Sequence, residues 1–133
     1  MKNNSGNFLT IIMSTLIFLF GDFDFLIKAI IALIFIDYVT GICKAIVTKK
    51  INSNTGGKGI VKKVMYLCII SVSVLLDVLL DVNGSLRTIV IYFFIFNEII
   101  SIMENCTEIG IKVPNILYKI INNFKDNIDN DIL

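Results

Sequence analysis

The amino-acid sequence predicts an all-α integral membrane protein, with about four transmembrane helices and a C-terminal amphipathic helix in a single domain over residues 1–133. Three observations predict it. The chain is 56% hydrophobic and 17% charged, against about half apolar and a quarter charged in an ordinary soluble domain. Its apolar residues gather into runs of membrane-crossing length divided by short polar connections. Half of its twelve Lys and Arg residues fall in or beside one of those connections. A chain of 133 residues buries only part of its surface on folding. So much Ile, Leu, Phe and Val would leave large exposed apolar patches in water, and lipid is the simpler solvent.

The first span is placed at about residues 5–21. The stretch 3–21 contains no charge, and 8–20 is almost wholly apolar. Lys2 followed by an apolar run has the outline of a signal peptide, but no A-x-A-like cleavage site follows, so the segment reads as a retained span. Gly21-Asp22-Phe23-Asp24 is long enough only for a hairpin tip. The second span, about 25–47, carries Lys28, Asp37 and Lys44. At 1.5 Å per residue the two lysines lie about 24 Å apart, so each reaches toward an opposite membrane face. Asp37 is left near mid-depth. Residues 48–59, with Asn52, Ser53, Asn54, Thr55, Gly56, Gly57 and Gly59, read as a loop. The third span, about 60–82, is uncharged from Val64 to Leu76, and Asn83-Gly84-Ser85 is a second short turn. The fourth span, about 86–104, is interrupted by Asn97 and Glu98. In the tail, 114–133, Pro114 suits a first helical turn. Ile116, Leu117, Ile120, Ile121 and Phe124 recur at helical spacing, with Lys119, Asn122, Asn123 and Lys125 opposite. Such a helix is expected on the membrane surface or against another subunit.

Short connections rich in Lys and Arg stay in the cytoplasm. The connection between the second and third spans carries Lys44, Lys49, Lys50, Lys58, Lys62 and Lys63, while the turn after the first has no basic residue and the turn after the third only Arg87. The basic loop (Lys49, Lys50, Lys58, Lys62, Lys63) is therefore expected to be cytoplasmic, and with four spans so are both termini. If the first span did not insert, three would remain and the N-terminus would lie outside.

Charged groups near a helix centre cost about 2.5–3.5 kcal/mol in lipid, yet Asp37, Asp77, Asp81 and Glu98 all fall within the spans. Their spacing is helical. Asp37, Thr40, Gly41 and Lys44 share one face of the second span, and Ser73, Asp77 and Asp81 one face of the third. In the fourth, Asn97, Ser101, Glu104, Asn105 and Glu108 follow the same rule with Glu98 alongside. Gly41 and Ala45 form a small-x-x-x-small pair that permits close helix approach. Two readings of the stripes stand with equal weight. They face one another within one bundle and satisfy each other, or Asp37, Thr40, Gly41, Lys44, Ser73, Asp77, Asp81, Asn97, Glu98 and Ser101 line a water-filled opening built from many copies.

Other classes find little support. A net charge of +1 gives no global attraction for nucleic acid, and the lysine cluster lacks interleaved aromatics. Asn54-Thr55-Gly56-Gly57-Lys58-Gly59 lacks the spacing and preceding strand of a phosphate loop. There is no His, which removes the usual general base and the commonest metal ligand. Cys43, Cys68 and Cys106 show no C-x-x-C spacing and read as small apolar residues. No catalytic residue, metal, cofactor or small-molecule substrate is expected, and the chain does not read as an enzyme.

The stretch Ile36-Asp37-Tyr38-Val39-Thr40-Gly41-Ile42, then Lys44, Lys49-Lys50-Ile51-Asn52-Ser53 and Gly56-Gly57-Lys58-Gly59-Ile60-Val61-Lys62-Lys63, resembles the toxin-secretion and phage-lysis holin family of Gram-positive bacteria and their phages. It is similar to the clostridial, toxin-associated branch. Asn97-Glu98-Ile99-Ile100-Ser101-Ile102-Met103-Glu104-Asn105 and Gly110-Ile111-Lys112-Val113-Pro114 extend the likeness, which runs from about Asp37 to Phe124. The resemblance implies a protein of the cytoplasmic membrane that forms homo-oligomers in lipid and opens a non-specific lesion. An endolysin or a large toxin would pass through it as cargo. The positions matching the family, Asp37, Gly41, Gly56, Gly57, Lys62, Lys63 and Glu98, are structural or pore candidates and supply no catalytic group. Rival readings are a small transporter or membrane assembly factor using the same acids for ion coupling, and an antiholin that restrains a separate holin.

Overall fold

The computed structural model describes residues 4–51 and 53–132. Among these the secondary structure is helical: α1 (Asn4–Phe20), α2 (Phe25–Val47), α3 (Ser53–Leu80), α4 (Ser85–Glu108) and α5 (Asn115–Ile132). Three helices, Phe25–Val47, Gly56–Leu80 and Ser85–Glu108, are long and apolar enough to cross a membrane, and Gly6–Phe20 is a shorter apolar helix. At 1.5 Å per residue α1 is about 26 Å long, slightly less than the roughly 30 Å hydrocarbon core.

The helix ends follow from local chemistry. α1 stops at Gly21, whose φ of 71° is ordinary only for a residue without Cβ. Three residues later the Asp24 carboxylate accepts from the Ile27 N–H at 3.1 Å and caps α2. α2 ends at Thr48, whose N–H returns to the Lys44 carbonyl. The turn after α3 carries Asp81, Asn83 and Gly84, all at positive φ. α4 then begins under a cap from the helix before it, since the Asp77 carboxylate accepts from the Leu86 and Arg87 N–H groups at 2.9 and 2.8 Å. α4 closes at Gly110 (φ 89°), with the Ile111 N–H bonded to the Cys106 carbonyl.

Two boundaries differ from expectation. The loop expected over 48–59 is confined to its first residues, because α3 starts at Ser53 and runs through Gly56, Gly57 and Gly59. Each glycine costs only about 1 kcal/mol in a helix, and a long helix anchored further along propagates cheaply into flanking polar residues. α4 extends past 104 to Glu108. α5 turns back along α4 of its own chain. Tyr118 meets Thr107 at 3.4 Å, Ile121 is buried with Met103, and the Phe124 ring stacks on Phe96 at 5.5 Å.

α4 is the axis of the bundle, packing against α2, α3 and α5, while α1 packs on α3. The main core joins Ile27 and Ile30 of α2, Tyr66 and Ile70 of α3, and Ile91, Phe94 and Ile95 of α4. Tyr66 and Phe94 stack with ring centroids 4.1 Å apart. A second core, Phe96, Met103 and Ile121, lies between α4 and α5. Outside these cores large apolar side chains are exposed along α1, α2 and α3, among them Phe8, Phe18, Phe35, Val61 and Leu79. In a bilayer this surface meets lipid, which removes the penalty it would carry in water.

Candidate functional site

The two short turns, Gly21–Asp24 and Asp81–Gly84, lie at one end of the bundle and the lysine-bearing connection at the other. From the turn end, Asp37 lies about 18 Å along α2 and Glu98 about 20 Å along α4. Lys63 lies about 26 Å along α3. The lysine stem closes the difference in height. Its ammonium contacts the Asp37 carboxylate at 2.9 Å and also the Glu98 carboxylate. The three side chains are 14, 12 and 3% exposed, so the cluster is closed off inside the bundle. Asn105 completes it by donating from Nδ2 to Asp37 at 3.1 Å and to the Thr40 hydroxyl at 3.2 Å. Thr40 in turn donates to the Asp37 carbonyl. Three helices thus each place one charged group at a single point inside the bundle. Among the described residues no buried side-chain nitrogen or oxygen lacks a partner.

The other expected site residues are dispersed. Lys44 reaches Glu108 at 3.4 Å in a half-exposed pair at the lysine end. A methyl at Gly41 would meet Asn105 at 3.7 Å, an ordinary contact, so close approach does not require glycine there. Ser73 is buried and bonded to the Ile70 carbonyl. Asp77 is spent on capping α4, and Asp81 is exposed in the turn. Asn97 and Ser101 are half-buried on α4. Of the basic loop, Lys49, Lys50 and Lys58 are exposed, and Lys62 sits 5.9 Å over the Tyr66 ring. Lys63 is a correction. Expected in a cytoplasmic loop, it is a helical residue that turns inward, because Lys63, Tyr66, Ile70, Ser73 and Asp77 share the buried face of α3.

The turn end holds a second polar knot that the chain's pattern did not announce. Arg87, 9% exposed, donates to the Phe20 carbonyl at 2.7 Å and to the Asp22 carbonyl at 2.9 Å. Nη1 donates to one Asp24 carboxylate oxygen at 2.9 Å, and Nη2, which also serves the Asp22 carbonyl, donates to the other at 3.2 Å. A lone arginine after one short turn and two aspartates in the other were the available signal. These bonds from Arg87 hold the Asp24 carboxyl below its ordinary value; burial opposes the shift and the Ile27 N–H aids it.

The model of the bacteriophage holin family matches residues 14–126. An uncharacterised protein of Clostridium perfringens (strain 13 / Type A) is 43% identical over 114 residues, covering 83% of this chain and 84% of that protein. An uncharacterised 14.9 kDa protein from the nagH 3′ region of C. perfringens is 44% identical over 98 residues, covering 72% and 74%. A probable holin of Bacillus phage phi105 is 34% identical over 100 residues, covering 75% and 73%. No solved structure matches.

Proposed function

The chain belongs to the bacteriophage holin family, and from this we propose that it is a pore-forming protein of the cytoplasmic membrane. It oligomerises and permeabilises that membrane to release an endolysin or a large toxin. The observation that carries the mechanism is the Asp37–Lys63–Glu98 cluster. All three of its members fall within the family-matched region. Held inside one chain, the cluster hides its charges and gives a lipid-compatible closed form. Opening exchanges these partners, and the freed polar faces of α2, α3 and α4 meet water between copies. The lysine-rich connection lies in the cytoplasm, and both termini with it if α1 spans.

The test is the time from induction to growth arrest, at matched protein levels in the membrane. Lys63→Met leaves two buried carboxylates without a cation, a loss of about 3–5 kcal/mol for a buried pair, and arrest comes early. Asp37→Asn leaves one cation facing one anion, and arrest comes late. If both variants keep the wild-type onset, the cluster has no part in opening. A transporter using the same buried acids would not stop growth abruptly or release a co-expressed hydrolase on induction. An antiholin would instead delay the onset set by a co-expressed holin.

A further inference from the structure

α5 occupies a place that is incompatible with a bilayer around α4. The exposed Asp22 and Asp81 carboxylates fix the turn end of the bundle at a membrane surface, since an exposed charge there would face hydrocarbon. From Ser85 at that surface, Phe96 lies about 17 Å down α4, near the middle of the bilayer. The Phe124 ring is stacked on Phe96. α5 enters from the far end of α4 and rises along it, so the chain beyond Phe124 lies no nearer that far surface. Its face away from α4 presents Lys119, Asn122, Asn123 and Asp126, all exposed. With α4 across the membrane, those groups would face acyl chains.

We infer that α5 has two seats: along α4, covering Phe96 and Met103, and on the bilayer interface beside the end of α4, once α4 spans. This rests on the membrane-spanning reading of α4. The structure supplies the parts for the second seat. Ile116, Leu117, Ile120 and Phe124 are already 43–59% exposed and form an apolar stripe opposite the polar one, the pattern of a helix lying in an interface. The joint is ready as well, since Gly110 is in the left-handed region and 111–114 form no helix. The occupant of the stripe is the lipid surface, because a helix tethered at the membrane-exit point of α4 meets it first. Leaving α4 uncovers Phe96 and Met103 within the membrane.

The test uses the full chain with Cys43, Cys68 and Cys106 replaced by alanine, in lipid vesicles. Ile120→Cys carries an environment-sensitive fluorophore, and quenchers are placed on lipid headgroups or on acyl-chain ends. Headgroup quenching is expected to exceed chain-end quenching by at least about two-fold for an interfacial helix. In a parallel sample Met103→Cys with Ile121→Cys, neighbours in the docked seat, is expected to show little disulfide under oxidant. Stronger chain-end quenching, or a disulfide in most chains, overturns the inference. Asn83→Cys and Glu108→Cys report separately on α4 through impermeant labelling. Labelling from opposite sides upholds the span, so a deep Ile120 probe then sinks the inference alone. Labelling from one side sinks the spanning reading and the inference with it.

Discussion

Arg87 shows how one side chain binds two hairpins. Its planar guanidinium offers donors in a fixed fork, and the structure uses them on the Phe20 carbonyl, the Asp22 carbonyl and the Asp24 carboxylate. α4 is thereby tied to the turn between α1 and α2. Asp24 is outside the spans, and its carboxyl is held below the ordinary value of 3.8 chiefly by the bonds from Arg87. A depressed acid stabilises the fold above its unfolded value, and that contribution disappears as pH falls through the folded value. Wild type should therefore melt above Asp24→Asn in detergent at neutral pH, with the gap constant down to about pH 5 and closing below about pH 4. A gap that widened on acidification would show that the Arg87 contact does not set the Asp24 carboxyl. Asn at this position keeps one oxygen to cap α2 but turns an amide NH2 toward Arg87, so the comparison removes the charge together with one acceptor of the guanidinium.

At the scale of helices, apolar runs and turn residues sufficed to place α1, α2 and both short turns. What escaped was set by partners on other helices. The start of α3 at Ser53 is invisible in a segment rich in glycine and asparagine, because its helicity is imposed by the anchored remainder of the helix. The polar stripe of α3 was legible as Ser73, Asp77 and Asp81. The structure carries the buried face toward the opposite end instead, through Ile70 and Tyr66 to Lys63. Asp77 looked like an intramembrane charge and is a cap, an assignment that needs the fold of the turn between α3 and α4. Asp77→Ala should cost about 1–2 kcal/mol, the usual loss for a helix N-cap, and Asp77→Asn less. Thermal unfolding in detergent measures both. An unchanged midpoint for Asp77→Ala would mean that the first turn of α4 does not depend on this acceptor.

For the whole molecule, the decisive quantity is the imbalance of charge at one buried point. Lys63 faces both Asp37 and Glu98, so with all three ionised the cluster carries one uncompensated negative charge. An inside-negative potential acts on that charge and on no balanced pair. A unit charge crossing the full field gains or loses about 2.3 kcal/mol per 100 mV, about fifty-fold in a population, and a partial crossing proportionately less. If opening moves the cluster toward either surface, a protonophore added after induction shifts growth arrest in the wild type. In Asp37→Asn one cation faces one anion, the field has no net charge to act on, and the same addition should shift arrest far less. Equal shifts in the two strains would place the voltage-sensing charge elsewhere in the chain. On the proposed mechanism, the membrane field would then act through the same group that holds the closed form together.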